Sequence, residues 1–242
     1  MKADTITFLT PPVPFEDSYL AVRDKEKRVL SDAQVQHLPQ LPASAPHARE
    51  WQLRKITLDR FTTYLSSTKF EDALDIGCGN GWFSNALTSY VQGTVTGLDV
   101  NQEELEQGQR VFSNENLTFC YGDIFANIFP PSSFSLITLN ASIQYFPDLK
   151  VLFNTLEEYL RPGGEIHVLD SPFYPEAEVA AAKRRTLDYY TALGYPEMAA
   201  YYYHHKTVEI EQLAGKPLYR PKRWQKWMGK PTSPFPWYRI TR

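Results

Sequence analysis

Two cysteines, Cys78 and Cys120, are all that the 242 residues contain, and that scarcity excludes a disulfide-stapled scaffold. Both fall beside predicted strands, and free thiols are expected. No apolar run approaches ~18 residues, the length a membrane-spanning helix needs. Residues 1–20 lack the basic start and apolar centre of a secretory leader, so the default expectation is a cytoplasmic protein. Only five histidines are present. No Cys or His set stands at ligand spacing, His204-His205 has no evident partners, and Asp170 alone is too little for magnesium; no metal is expected. No repeat or low-complexity tract is visible.

What is present is ordinary in bulk and uneven in placement. Hydrophobic residues make up 43% and charged residues 22%, which suits one globular α/β unit with a short appendage. The net charge of −3 hides an asymmetry. Residues 183–242 hold twelve Lys or Arg against four Asp or Glu, and the remainder holds thirteen against twenty-four. Such a basic end fits either an anionic partner such as nucleic acid or a solvated face balancing an acidic domain.

Residues 1–48 carry six prolines (Pro11, Pro12, Pro14, Pro39, Pro42 and Pro46). Proline fixes φ and removes a donor, so this arm is expected to lie over a core rather than build one, with one helix over 17–37. A second helix is expected over 49–66, with Trp51, Ile56, Leu58, Phe61 and Leu65 as an imperfect apolar stripe. From about 70 to 174, strand-like runs (73–76, 94–100, 117–121, 134–140 and 165–170) alternate with helix-like runs (82–90, 102–112 and 148–160). Arg161-Pro162-Gly163-Gly164 reads as a turn before the fifth strand. Strict alternation implies a parallel sheet covered by helices on both faces, with ligands at the carboxyl ends of the strands. After Pro175 come a helix over 176–193 and an aromatic, basic stretch containing Tyr201-Tyr202-Tyr203-His204-His205, Trp224, Trp227, Trp237 and Tyr238. Two further strands are expected there, the last over 237–240.

The strongest local signal is Leu74-Asp75-Ile76-Gly77-Cys78-Gly79-Asn80-Gly81-Trp82-Phe83-Ser84, which follows a strand and opens a helix. Alternate glycines allow a tight turn and a close approach of backbone to ligand. A glycine-rich loop alone is weak, because dinucleotide enzymes use a similar turn. Here the spacing is G-x-G-x-G, with Asp75 two residues ahead. Asp99, followed by Val100, ends the second strand, where a carboxylate can accept both hydroxyls of a ribose. Asp123, followed by Ile124, ends the third, where it can accept from an exocyclic amine. Each interval between these acids is 24 residues, one βα unit. Each acid also has a structural alternative: Asp75 taking loop amides, Asp99 capping the next helix, Asp123 capping a short turn.

Taken together, residues 70–172 resemble the class I, Rossmann-like S-adenosylmethionine-dependent methyltransferases of small-molecule type, with no subfamily assigned. The resemblance implies a doubly wound, mostly parallel seven-stranded sheet and an N-terminal helical cap. It divides the chain into an arm with cap helices (1–66) and a methyltransferase domain (67–242) ending in the aromatic, basic segment (175–242), together one compact unit. It implies S-adenosyl-L-methionine as cofactor and S-adenosyl-L-homocysteine as product. The cofactor residues would be Asp75, Gly77, Cys78, Gly79, Asn80 and Gly81 in the loop, then Asp99, Val100, Asp123 and Ile124. Asn140 and Ala141 would stand at the methionine portion, with Arg54 or Arg23 on its carboxylate. The Pro162-Gly163-Gly164 turn argues against a nicotinamide dehydrogenase.

The acceptor is expected at the mouth of the fourth strand, Asn140-Ala141-Ser142-Ile143-Gln144-Tyr145-Phe146-Pro147, with Gln144 and Tyr145 the preferred contacts. Alternatively Gln144 caps the turn while Ile143 and Phe146 pack it. The stretch lacks the Pro-Pro-Tyr of amino-methylating enzymes acting on adenine or glutamine, and the chain lacks the Pro-Cys pair of cytosine methylation. A base, needed only if the acceptor carries a proton of high pKa, could be Tyr19, His167, His204 or His205. His167, alternating within its strand, reads as a packed sheet residue. The expected reaction is in-line methyl transfer to O, N or C of a small molecule. The alternatives are an RNA or other nucleic-acid methyltransferase using the basic end, and a non-catalytic cofactor-binding protein.

Overall fold

A computed structural model describes residues 5–12, 16–221 and 232–242; Trp224 and Trp227 lie outside them. In chain order the elements are β1 (Thr7–Phe8), α1 (Glu16–Lys25), α2 (Asp32–Val35), α3 (Ala48–Leu65), β2 (Ala73–Ile76), α4 (Trp82–Leu87), β3 (Val95–Asp99), α5 (Gln102–Val111), β4 (Leu117–Tyr121) and β5 (Phe134–Asn140). They continue with α6 (Leu149–Tyr159), β6 (Leu160–Leu169), α7 (Glu176–Leu193), α8 (Thr207–Gln212), β7 (Lys216–Tyr219) and β8 (Trp237–Thr241). Short 3-10 turns cover Ile143–Tyr145 and Pro196–Tyr201.

The strands form one sheet in the order β1-β4-β3-β2-β5-β6-β8-β7. Only β8 runs against the rest, antiparallel to both β6 and β7. The expected count of seven is corrected to eight among the described residues by β1, where Thr7 pairs with Cys120 and Phe8 with Tyr121. Two residues ahead of a proline run carry no periodicity from which a strand could be read. From β2 the chain winds outward through β3 and β4, and from β5 it winds the other way through β6. The β2–β5 boundary is therefore the switch point, and its crevice is where such sheets bind ligands.

β2 is buried at all four positions, as a central parallel strand covered on both faces must be. Its residues alternate between two cores: Ala73 joins Phe83, Leu87 and Phe119 on one face, while Leu74 and Ile76 join Ile137, Leu152 and Phe153 on the other. The arm does help to build a core, because Ile6 and Val35 are buried in the first cluster. The single helix expected over 17–37 is two helices. Lys27 takes a left-handed φ of 56°, and Ser31 restarts the chain with a capping box to Gln34. The Arg161-to-Gly164 turn lies within β6: Phe134 pairs with Leu160 and Leu136 with Glu165, so the intervening residues bulge out of a continuing strand.

Helix α6 buries Leu149, Leu152, Phe153 and Leu156, a spacing that makes one apolar stripe. Asp148 caps it, accepting from the amides of Lys150 (2.8 Å) and Val151 (3.1 Å). Asp148→Ala is expected to destabilise the protein by about 1 kcal/mol, seen as a lower urea midpoint at unchanged slope. An unmoved midpoint would mean that water serves those amides equally well.

Candidate active site

The glycine turn stands at the switch point, and the structure separates its three glycines. All have positive φ, 68°, 53° and 72° at Gly77, Gly79 and Gly81. A Cβ on Gly77 would meet Ser142 Cβ at 2.4 Å, and one on Gly81 would meet the Phe119 ring at 2.2 Å. Those two make room for protein. Gly79 faces the cavity, and its Cβ would meet only the carboxylate end of Glu104, at 2.9 Å. Ser142 closes the other side, donating to the Ile76 carbonyl at 2.6 Å.

The strand-end acids divide in the same way. Asp75 is buried and accepts from the hydroxyls of Ser84 (2.6 Å) and Thr138 (2.8 Å), not from loop amides. Burial raises its pKa to about 6 against the pull of those donors. Asp99 is half-buried and faces the cavity. Its Oδ1 accepts from the amides of Val100 and Asn101 at 2.7 and 2.9 Å, and its Oδ2 from the Gly79 amide at 2.7 Å. Burial and the nearby Glu104 carboxylate raise it to about 7 against those three amides. The cap of α5 is Asn101, whose side chain accepts from the Glu104 amide. Asp123 is exposed and accepts from the Phe125 amide at 3.0 Å, and Ile124 beside it is buried.

A cavity of about 1020 Å³ runs along these strand tips. It is lined by Asp75, Gly77, Cys78, Gly79, Asn80, Asp99, Val100, Asp123, Ile124, Asn140, Ala141 and Arg54, every expected cofactor residue except Gly81. The thiols of Cys78 and Cys120 are free, and burial raises both pKa values, that of Cys120 to about 11. Arg54 donates to Glu50 at 2.8 Å and lies 5.1 Å from the centre of the Trp51 ring. Arg23 pairs with Glu104 at 3.1 Å, a link between α1 and α5 invisible in the sequence because 81 residues separate its ends.

The far side of the cavity is aromatic. Tyr145 meets Tyr19 and Tyr202 edge-on, at 6.0 and 6.2 Å between ring centres. Val22 of α1, Tyr190 of α7 and Met198 form a small third core, with Tyr19, Leu193 and Tyr202 packed on it. The two ends of the chain thus build one lid. Burial raises the phenol pKa values of Tyr19 and Tyr145, so both remain protonated. Gln144 caps its own turn, donating to the Ala141 carbonyl at 2.6 Å, and still lines the cavity. His204 stands behind the wall: its Nε2 is 2.8 Å from the hydroxyl of Thr186, which lines the cavity. Burial and the cations Lys183 and Arg185 lower its pKa, leaving the ring neutral. His205 turns the other way, toward the Ile143 carbonyl at 3.2 Å. His167 is fully buried; its Nδ1 accepts from the Trp237 indole at 2.9 Å and its Nε2 is 2.9 Å from Glu165. Among the described residues no group of three or more His, Cys, Asp or Glu could hold a metal, and no helix is long and apolar enough to cross a membrane.

Comparison with known proteins bears on this arrangement. A family profile described as a methyltransferase domain matches residues 73–164. Malonyl-[acyl-carrier protein] O-methyltransferase of Erwinia billingiae is 32% identical over 116 residues, 47% of this chain and 44% of that protein. The 27-O-demethylrifamycin SV methyltransferase of Amycolatopsis mediterranei is 26% identical over 156 residues, 60% of this chain and 57% of the other. The chain thus spans about half the length of these relatives. The fold is shared with Haemonchus contortus phosphoethanolamine N-methyltransferase 2, solved with phosphomonomethylethanolamine and S-adenosylhomocysteine. There the TM-score is 0.60 at 20% identity, over 84% of this chain and 44% of that one. Profile, relatives and strand order agree: residues 73–164 are similar to a methyltransferase domain and lie within a Rossmann-like sheet.

Proposed function

We propose that this chain transfers the methyl group of S-adenosylmethionine to a small-molecule acceptor enclosed beneath the aromatic lid. The observation that carries the reading is the single cavity joining Asp99 and the glycine turn to Tyr145 and Tyr190. Its volume lies at the upper end of the range for small-molecule pockets, which suits a nucleoside cofactor and an acceptor together. When bound, the cofactor supplies an electrophilic methyl on sulfur.

The chain's own residues position and enclose. Asp99, held by three amides, has a lone pair of Oδ2 left for a sugar hydroxyl, and Gly79 leaves the space beside it open. Asn140 and Ala141 line the middle of the cavity, Arg54 stands at its wall for a carboxylate, and the tyrosines exclude water. Holding an acceptor atom in line behind the methyl is worth ~7–11 kcal/mol of barrier in favourable cases. Tyr19 and Tyr145, kept protonated, serve as donors and walls, while Gln144 orients. Neutral His204, reached through Thr186, is the group able to take a proton from an acceptor that must lose one.

The small-molecule reading is favoured over nucleic acid by the pairing of four of the twelve basic residues at that end, Lys222, Arg223, Lys226 and Lys230 lying outside the described residues. Lys206 pairs with Glu176, Arg239 with Glu165, Arg220 with Glu211 and Arg184 with Asp188. Incubation of metabolite extract with the protein and trideuteromethyl cofactor is expected to yield a labelled small molecule by mass spectrometry. Label only in RNA, or none in any fraction, would overturn the proposal in favour of a nucleic-acid enzyme or a non-catalytic binder.

A further inference from the structure

Three buried oxygens around the cavity have no hydrogen-bond partner: Asn140 Oδ1, Gln144 Oε1 and Asp170 Oδ2. They come from two neighbouring strand tips. Asn140 ends β5 and pairs with Leu169, the last residue of β6. The Ala141 amide donates to the Leu169 carbonyl at 2.9 Å, which sets Asp170 beside Ala141, and Gln144 is tied to the Ala141 carbonyl. All three side chains line the cavity and are more than nine-tenths buried. Buried acceptors without donors are unfavourable, and three on one wall define a surface made for a donor-rich ligand.

The charge of that ligand follows from Asp170. Its Oδ1 accepts from Thr57 at 2.5 Å and Ser233 at 3.4 Å, both neutral hydroxyls. No cation bonds it among the described residues. Arg54 and Arg60 act on it through space without bonding it, and Arg54 pairs with Glu50, which also takes Arg28 at 2.9 Å. A carboxylate this buried calls for a positive partner. Resting on the function proposed above, we propose that Asp170, Asn140 and Gln144 form a subsite for a protonated amine, with Asp170 as its counter-ion and the two amide oxygens accepting its remaining N–H groups.

Position limits the source of the amine. Along the row of tips β4, β3, β2, β5 and β6, Asp170 is three strands from Asp99, roughly 14 Å at ~4.8 Å per strand. A nucleoside gripped at Asp99 reaches that far only with its amino-acid end, or else an amine-bearing acceptor lies there. Calorimetry with S-adenosylhomocysteine and with 5′-methylthioadenosine, which lacks the amino acid, separates the two. Asp170→Asn is expected to weaken S-adenosylhomocysteine about tenfold with methylthioadenosine unchanged if the methionine amine is the ligand. If the acceptor carries it, Asp170→Asn leaves both nucleosides unchanged and abolishes the n-butylammonium shifts that NMR detects in the wild type. Equal affinities of wild type and variant for all three probes would overturn the subsite, as would equal weakening of both nucleosides. Absence of wild-type S-adenosylhomocysteine binding would sink the methyltransferase reading instead, and the n-butylammonium titration of the cofactor-free protein would still decide the subsite.

Discussion

Asp99→Ala is expected to lower the affinity for S-adenosylhomocysteine about thirtyfold, or ~2 kcal/mol, the worth of a hydrogen bond to a charged group. The carboxylate is already aimed: Oδ1 is filled by the amides of Val100 and Asn101, while Oδ2 holds only the Gly79 amide. One sugar hydroxyl fits without rearrangement, and a second requires the Gly79 amide to turn away. Calorimetry checks the size of the loss, and unchanged affinity would remove Asp99 from the site.

The same residue predicts a pH dependence. With its pKa raised to about 7 by burial and the Glu104 carboxylate, Asp99 is largely protonated at pH 6. Hydroxyl donors favour the ionised form, so affinity should fall about tenfold from pH 8 to pH 6. Stability responds with the opposite sign. A carboxyl whose folded-state pKa is raised binds more protons folded than unfolded. Its contribution is therefore greatest below about pH 4 and is lost as pH rises toward 7. Arg23, paired with Glu104, offsets part of the charge that Asp99 meets. A flat binding profile between pH 6 and 8 would contradict the assignment.

Gly81→Ala and Gly79→Ala, two residues apart, should behave differently. At Gly81 the new methyl would meet the buried Phe119 ring at 2.2 Å in a backbone with φ of 72°. The left-handed conformation costs roughly 1–2 kcal/mol and overpacking about 1–3 kcal/mol more. A domain of this size loses about 2–4 °C per kcal/mol, so thermal unfolding should come roughly 10 °C earlier. At Gly79 the obstacle is the movable end of Glu104, so the stability loss should be the smaller and the binding loss the larger. Equal melting losses in the two variants would show that Gly79, like Gly81, serves the turn alone.

The sheet and the glycine turn at its switch point were legible in the sequence because they are written in short-range pattern. The β–α alternation, the G-x-G-x-G turn and the acids at 24-residue intervals each report on neighbours along the chain. The arm was less legible. Its two-residue strand has no period, and its helix break depends on the Ser31 capping box and the left-handed Lys27. The division of labour among the glycines was hidden too, since it depends on Phe119 in β4 and Ser142 just beyond β5.

The amino-acid sequence by itself determined the fold class, the switch-point turn and the acids at the strand tips, because backbone geometry and βα connectivity enforce them locally. Tertiary packing alone decided which polar groups remain without partners and what closes the cavity. Thr57 reaches Asp170 across 113 residues, and Arg23 reaches Glu104 across 81. Tyr19 and Tyr202, from opposite ends of the chain, pack on one small core. Whether a buried carboxylate is satisfied depends on every element surrounding it, and no local spacing records that sum.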